Sequence, residues 1–143
     1  MGNDINALTE AIIGSAIAVH REVGPGLLES AYEECLAIAL TDSGLSFSRQ
    51  GVIPLRFRGR EITPGFRYDL LVEGRVIVEV KAVESVLRVH KAQVITYLRM
   101  TNVPVGLILN FNVPALREGL FRLTIASPPA DLCVSVSPVK KTT

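Results

Sequence analysis

The chain has little net charge, few cysteines and no apolar run long enough to cross a membrane. Its 143 residues carry 15 Lys and Arg against 14 Asp and Glu. A formal net charge of +1 does not mark a nucleic-acid binder, so any basic surface must be local. Cys35 and Cys133 are far apart and lack metal-ligand spacing, which is typical of reduced intracellular thiols. The N-terminus has neither a basic leader nor an apolar leader segment, so we expect a cytoplasmic protein without a membrane segment.

The composition is that of a folded domain. Hydrophobic residues make up 48% of the chain and charged residues 20%, a balance that favours a globular core over disorder. The length fits one domain. We expect this domain to cover residues 1–126. The remaining residues, 127–143, contain two adjacent prolines and a Lys-Lys-Thr-Thr terminus and are predicted to form a loose tail, with a weak strand at 132–136 as an alternative.

The periodicity of apolar residues predicts an α/β fold. Asn3 or Asp4 can cap a first helix, which the Gly-Pro-Gly turn at residues 24–26 ends. Gly44 and Asn102 are predicted stops for the second and third helices. The order of helix, helix, three strands, helix, strand and strand indicates a mixed central β-sheet flanked by helices. The predicted helices cover residues 5–21, 27–41 and 86 or 88–100, and the predicted strands cover residues 47–62 with a turn at 58–60, then 66–72, 76–81, 105–111 and 120–125.

Charged residues occur inside one predicted β-hairpin, residues 66–81. The second half of this hairpin is nearly continuously apolar, which is typical of a central strand covered on both faces. Glu79 and Lys81 lie two residues apart and therefore share one face of that strand. Asp69 on the preceding strand reaches the same face only if the turn has three residues with Gly74 in a left-handed conformation, because a two-residue turn sets Asp69 opposite Val78. We expect the three-residue turn.

With that register, two carboxylates and an ammonium converge near one point. Charges in a buried strand are costly unless they pair, bind metal or take part in chemistry. Carboxylate oxygens beside an ammonium suit a hard divalent cation and a phosphate. The alternative is a simple salt bridge among Asp69, Glu79 and Lys81 at the end of a strand pair.

A motif in the second helix adds a family resemblance. Residues 26–32 read Gly-Leu-Leu-Glu-Ser-Ala-Tyr and match the pattern G-x-x-E-x-x-Y. With this motif and the Asp…Glu-x-Lys set, the chain resembles the GxxExxY protein family, a branch of the PD-(D/E)XK nuclease superfamily, over residues 5–125. Val19-His20-Arg21 and Gln93-x-x-x-Tyr97 belong to the same resemblance. It implies a restriction-endonuclease-like (PD-(D/E)XK) core and hydrolysis of phosphodiester bonds.

The resemblance also implies roles for individual residues. Asp69 and Glu79, with the carbonyl of Val80 and with Glu29, would hold Mg²⁺ or Mn²⁺. Lys81 would orient the attacking water or stabilise the developing oxyanion. The alternative for Glu29 is that a carboxylate in the first turn only complements the helix dipole.

Polar residues of the helices have both functional and structural interpretations. His90, Gln93 and Tyr97 form a stripe down one face of the third helix. The resemblance implies that Gln93 and Tyr97 border the active site, whereas an ordinary surface helix also carries such stripes. Tyr32 either bonds a neighbouring carboxylate or is a core aromatic. His20, in the last turn of its helix, is predicted to be structural.

Arginines cluster in the first predicted strand and the residues after it. They either contact the phosphate backbone or only protect a solvated strand edge, and the pattern does not decide between the two. The expected function is a Mg²⁺-dependent nuclease acting on DNA. The alternative is a non-catalytic nucleic-acid- or protein-binding module that keeps the fold, or a small partner in a bacterial defence or repair complex, and a homodimer stays open. The clustered arginines are Arg49, Arg56, Arg58, Arg60 and Arg67, of which Arg56, Arg58 and Arg60, with His90, are the predicted nucleic-acid contacts.

Overall fold

The computed structural model describes residues 4–125. Asp4 caps the first helix, because its Oδ1 accepts a hydrogen bond from the amide of Asn6 at 3.0 Å. Gly24, at φ 68°, ends that helix in a conformation that favours glycine. The elements in chain order are α1 (Ile5–Val23), α2 (Glu29–Asp42), β1 (Phe47–Phe57), β2 (Arg60–Val72), β3 (Val76–Lys81), α3 (Arg88–Thr101), β4 (Val105–Asn110), a 3₁₀ turn (Leu116–Gly119) and β5 (Leu120–Thr124).

The five strands form one mixed sheet in the order β1-β2-β3-β4-β5. Only β3 and β4 pair in parallel, and α3 is the crossover between them, as a parallel connection requires. The other neighbouring strands pair antiparallel. Strand β3 is therefore the centre of the sheet, and all of its residues from Val76 to Val80 are buried.

Helices cover both faces of the sheet. Buried residues of α1 and α2, such as Ile12 and Leu36, pack with Val78 and Val80 on one face. Buried residues of α3 pack with Ile77 and Ile108 on the other face. We call the second of these the α3 face. The predicted α/β fold with a mixed central sheet flanked by helices is confirmed.

The structure differs from the sequence-based expectations mainly at element ends. Strand β2 is continuous from Arg60 to Val72, although the sequence suggested a short extension to residue 62 and a separate strand from residue 66. A register shift between Ile53 and Leu55 accommodates Pro54 in the neighbouring strand. No helix within residues 4–125 has the length and apolar character needed to span a membrane. The predicted tail and the strand at 132–136 lie outside the described residues, as does Cys133, whereas Cys35 is a free thiol.

Candidate active site

The turn between β2 and β3 sets the register of the candidate site. It has three residues, with Glu73 at φ 55° and Gly74 at φ 65°, and Val72 pairs with Val76 across it. The same register continued along the strands sets Asp69 opposite Glu79. The expected three-residue turn with a left-handed Gly74 is therefore confirmed, and the two carboxylates lie together.

Asp69 and Glu79 interlock through the backbone. The amide of Asp69 donates to Oε2 of Glu79 at 2.9 Å, and the amide of Val80 donates to Oδ2 of Asp69 at 2.8 Å. The paired residues of the two strands stop at Leu70 and Val78, so the carboxylates lie where the regular ladder ends. Each side chain thus accepts the amide of the opposite strand at the point where the strands part.

Burial raises the pKa values of both acids. Glu79 is only 6% exposed, and burial together with the negative charge of Asp69 raises its pKa to about 8. The pKa of Asp69 is raised as well, chiefly by burial and further by the charge of Glu33, although the Val80 amide opposes the shift. Two close acids that share one buried site titrate as a pair. The site therefore favours either a proton or a cation.

Lys81 is the cation that follows them on β3. Its charge lowers the pKa values of both Asp69 and Glu79, and alternation along β3 puts it on the same face as Glu79. Within residues 4–125 it forms no ion pair at 4 Å or closer. The carbonyl of Lys81 accepts the amide of Phe111 at 2.9 Å, and the side chain of Asn110 bonds both backbone groups of Val83. Asn110, the last residue of β4, and Phe111 after it therefore hold the backbone at Lys81 and at Val83.

Two residues that the sequence analysis did not select, Glu33 and Gln50, also belong to this cluster. The Gln50 side-chain amide donates to Oε1 of Glu33 at 2.9 Å and to Oδ1 of Asp69 at 3.3 Å. Glu33 is 7% exposed and pairs with Arg49, whose Nε lies 3.0 Å from its Oε2. Helix α2 is therefore linked to Asp69 through Gln50. The φ of 53° at Gln50 helps to direct its side chain, and no local sequence pattern signals that conformation.

Glu29 lies at the edge of the site rather than against the carboxylate pair. It is exposed, and its Oε2 accepts the amide of Ala82 at 3.2 Å, one residue past Lys81. Its charge is not among those that shift the pKa of Asp69 or Glu79, whereas the charge of Glu33 raises both. Glu33 is thus the α2 carboxylate that acts on the pair, one helical turn after the residue that the motif indicated.

The predicted polar stripe on α3 divides into three different environments. Tyr97 is 6% exposed and packs edge-to-face on Phe66 with ring centroids 5.6 Å apart. Burial and the charges of Glu79 and Asp69 raise its pKa to about 12, so its hydroxyl keeps its proton at neutral pH. Gln93 is exposed one turn earlier. His90 accepts the amide of Leu87 on Nδ1 at 2.9 Å and so caps the helix.

The remaining aromatic and histidine candidates are structural. Tyr32 is fully buried and stacks on Phe111 with centroids 4.5 Å apart. Its hydroxyl donates to the carbonyl of Gly24 and accepts the amide of Leu27, so it fixes the turn before α2 and bonds no carboxylate. His20 is buried and its Nε2 lies 2.9 Å from the carbonyl of Val113, which agrees with the structural interpretation.

The five clustered arginines do not form one surface. Arg49 pairs with Glu33 and Glu34 beside the site. Arg56, Arg58 and Arg60 lie instead at the outer end of the β1–β2 hairpin, where all three are exposed and, among the described residues, none forms an ion pair. These three remain available for anions.

The donor set suits a cation that retains water. No group of three or more His, Cys, Asp or Glu side chains within residues 4–125 is arranged to hold a metal ion. Asp69 and Glu79 offer two hard carboxylates, whose buried negative charge has no ion-pair partner in the described part of the chain. Mg²⁺ commonly binds through one or two carboxylates while keeping several waters, so these residues fit such an ion better than they fit an all-protein cage.

Two carboxylates and a lysine at the end of a central strand define a site suited to a divalent cation and a phosphate ester. A model of the PD-(D/E)XK nuclease superfamily matches residues 6–123, most of the chain, and the chain belongs to that superfamily. The mixed sheet with three helices agrees with its restriction-endonuclease-like fold. Comparisons with curated proteins and with solved structures find no match. Members of this superfamily are usually nucleases that use divalent metals and bind nucleic acid.

Proposed function

We propose that this chain is a cytoplasmic, divalent-metal-dependent nuclease of the GxxExxY branch, and that it hydrolyses phosphodiester bonds in DNA. The observation that carries the proposal is the interlocked pair of Asp69 and Glu79, with Lys81 two residues away. A buried glutamate whose pKa rises to about 8 beside a second, half-buried acid is unfavourable for the fold alone. Strongly shifted pKa values of this kind are common at catalytic sites.

The roles follow from the positions of the side chains. Asp69 and Glu79, with the carbonyl of Val80, would hold Mg²⁺ or Mn²⁺, and Glu29 is proposed as a further ligand at the edge. The ion would supply Lewis acidity and neutralise charge on the phosphate. Lys81 forms no ion pair in the described chain, so its ammonium is available to stabilise negative charge that develops on the phosphate.

Residues around the pair would position the substrate. Tyr97 keeps its hydroxyl proton, and the charges of the two acids act on it, so it can donate to a phosphate oxygen held there. Gln93, exposed one turn before it, would contact the same nucleotide. His90 uses Nδ1 to cap α3, which leaves its Nε2–H directed away from the cap and available to the backbone of the nucleic acid. Arg56, Arg58 and Arg60 would contact phosphates farther away.

A cleavage assay tests the proposal directly. Purified protein is incubated with labelled single-stranded and double-stranded DNA and RNA, with Mg²⁺, with Mn²⁺ or with EDTA. We expect DNA cleavage that requires the metal and that EDTA abolishes. Binding without cleavage in either metal would instead identify a non-catalytic binding module with a nuclease fold.

Metal binding should also be visible without a substrate. Adding Mg²⁺ or Mn²⁺ at ten times its Kd should raise the melting temperature by a few degrees, because binding to the folded state alone contributes about 1.4 kcal/mol. Binding should release protons near neutral pH, because the pKa of Glu79 is about 8. Calorimetry in two buffers of different ionisation enthalpy measures this release.

Asp69→Asn is the matched test of that prediction, since it removes one charge and keeps the shape of the side chain. The variant should lose the metal-dependent shift in melting temperature, whereas Asp42→Asn, at the exposed end of α2, should keep it. A wild-type melting curve that does not respond to millimolar Mg²⁺ or Mn²⁺ contradicts the metal site.

Arg58→Ala should weaken DNA binding and flatten its dependence on salt. Each phosphate contact contributes a slope of about 0.9 in the plot of log K against log salt concentration, so the slope should fall by about one unit. Fluorescence anisotropy at several salt concentrations measures the slope. Arg117→Ala, between β4 and β5 at the other edge of the sheet, should leave it unchanged. Equal slopes for wild type and Arg58→Ala would remove this residue from the interface.

A further inference from the structure

The outer part of the β1–β2 hairpin, residues 54–65, extends beyond the helices as a two-stranded arm. Leu55 pairs with Ile62 and Phe57 pairs with Arg60 across the arm. Its tip is the Arg58-Gly59 turn, where both residues have positive φ, at 51° and 76°. Residues 56–64 are all exposed, so nothing within the described chain covers this segment.

One side of the arm continues the apolar surface of the α3 face. Ile53 and Leu55 both pack against the core on the α3 face, and Phe57 follows them at the same two-residue period. Ile62 lies on the same side, because it is the direct partner of Leu55. Phe57 is 58% exposed and Ile62 is 46% exposed, so an apolar strip leaves the core and ends in solvent.

Positive charge lies beside this strip at the tip of the arm. Arg60 is the direct partner of Phe57 and shares its side, whereas Arg56 is the partner of Glu61 on the opposite side. The arm carries three arginines and a single acid, Glu61. The guanidinium group of Arg58 lies 5.1 Å from the centre of the Phe57 ring. Among the described residues, Arg56, Arg58 and Arg60 have no carboxylate within ion-pair distance, and Glu61 accepts a hydrogen bond from Thr63 instead. A partner that covers the strip must therefore satisfy both apolar contact and several unneutralised cations.

The strip also lies on the same side of the sheet as the candidate active site. Phe66, farther down β2, packs with Leu55 in the α3-face core and touches Tyr97. Glu79 lies on the same face, because it alternates with Val78 and Val80, which pack on the opposite face. Strand β2 has extra residues at the register shift, so the distance is counted along β1, where Gln50 lies opposite Asp69. Leu55, the partner of Ile62, is five residues from Gln50, and Phe57, the partner of Arg60, is seven residues from it, which corresponds to roughly 17 to 23 Å along the strand. At 3.4 Å per base pair this is about five to seven base pairs of duplex DNA.

We propose that the arm is a wedge for duplex DNA, in which Phe57 and Ile62 enter a weakened base step while Arg58 and Arg60 hold the flanking phosphates. The position of the wedge relative to the cut rests on the proposed nuclease function, whereas its action on the duplex does not. Apolar side chains flanked by cations are the means by which proteins unstack and kink a duplex. A polyanion satisfies both guanidinium groups beside the strip together, and one phenylalanine with one isoleucine is poorly suited to stacking a single strand.

The wedge predicts a preference for DNA that is easy to open. Unstacking costs least at a mismatched base pair, so the protein should bind a 40-base-pair duplex with one mismatch about tenfold more tightly than the perfect duplex. Binding is measured with Ca²⁺ in place of Mg²⁺, so that it is read apart from cleavage. A 2-aminopurine beside the mismatch should brighten on binding, because unstacking relieves the quenching of its fluorescence. With Mg²⁺, cuts should fall about five to seven base pairs from the mismatch.

Exposed side chains on opposite sides of β1 give a matched pair of variants. Phe57→Ser and Ile62→Ser should each reduce the mismatch preference to about twofold or less and remove the 2-aminopurine signal. Val52→Ser removes an apolar side chain that is 44% exposed on the side of β1 opposite Ile53, and it should behave like wild type. Because all three positions are exposed, the variants should melt at the wild-type temperature.

The outcomes separate the wedge from the nuclease proposal. A wild type that prefers the mismatch but cuts no substrate keeps the wedge and refutes the nuclease. A wild type that cuts DNA with no mismatch preference, or with one that Phe57→Ser leaves intact, overturns the wedge and keeps the nuclease. If Phe57→Ser instead dissociates a dimer in sedimentation and leaves DNA binding unchanged, the strip is a contact between two copies of the chain and the wedge is overturned. A protein that binds no DNA overturns both.

Discussion

Replacing Lys81 with alanine is expected to lower the rate of metal-dependent DNA cleavage by roughly two to three orders of magnitude. The charge of Lys81 acts on both Asp69 and Glu79, and Lys81 forms no ion pair within the described chain, so its charge is available for the transition state. An interaction made mainly in the transition state affects turnover rather than binding, so the Kd for DNA should change by less than about threefold. Single-turnover cleavage and anisotropy measure the two quantities separately.

Lys91→Ala is the matched control for this substitution. Lys91 is another partly exposed lysine, but its ammonium lies 4.3 Å from the centre of the Phe121 ring, and its charge is not among those that shift the pKa of Asp69 or Glu79. Its loss should leave the cleavage rate within about twofold of wild type. Cleavage that survives both Lys81→Ala and Asp69→Asn would mean that other residues, or a contaminant, carry the activity.

Replacing Glu79 with glutamine should stabilise the metal-free protein at alkaline pH. Below about pH 4.5 the carboxyl is protonated in both the folded and the unfolded state. As the pH rises from there to about 8, the unfolded state loses this proton while the folded state keeps it, so stability falls and the loss is complete above pH 8. Each pKa unit corresponds to about 1.4 kcal/mol, so the loss amounts to a few kcal/mol. Glutamine cannot ionise, and its amide oxygen can still accept the hydrogen bond from the Asp69 amide.

Chemical denaturation in EDTA at pH 5 and pH 9 checks this prediction. The free energy of unfolding should fall between these pH values by a few kcal/mol more in wild type than in Glu79→Gln. Asp69 contributes in the same direction in both proteins, because burial raises its pKa as well. Glu84→Gln, at an exposed position after β3, should follow wild type. If the free energy of unfolding depends on pH in the same way in wild type and Glu79→Gln, folding does not raise the pKa of Glu79.

The central hairpin could be predicted from the sequence because several local rules agree there. The apolar run at residues 76–80 indicates a covered strand, and Gly74 supports a left-handed residue in the turn. Once the turn length is fixed, alternation places Asp69, Glu79 and Lys81 together without any knowledge of the helices. That is why the register, and with it the carboxylate pair, is the part of the site that the sequence predicts best.

Glu33 and Gln50 could not be predicted because their contacts depend on tertiary packing. Glu33 reads as an ordinary helix glutamate, and only the placement of α2 over the sheet brings it to Gln50. Gln50 reaches Asp69 from a left-handed backbone conformation that glutamine rarely adopts. Periodicity also left open whether Tyr97 is exposed, since its burial is set by contact with Phe66 from another strand.

The way in which Asp69 and Glu79 interlock has a consequence for hydrogen exchange. The amides of Asp69 and Val80 are protected by side-chain acceptors, whereas those deeper in the hairpin belong to the regular ladder from Leu70 to Val72. Rotation of either carboxylate exposes an amide to solvent without separating the strands. These two protons should therefore exchange by small local openings, at rates independent of global unfolding. They form a pair of internal reporters, readable by NMR in the intact protein, on whether the carboxylates are engaged with the backbone or turned toward a ligand.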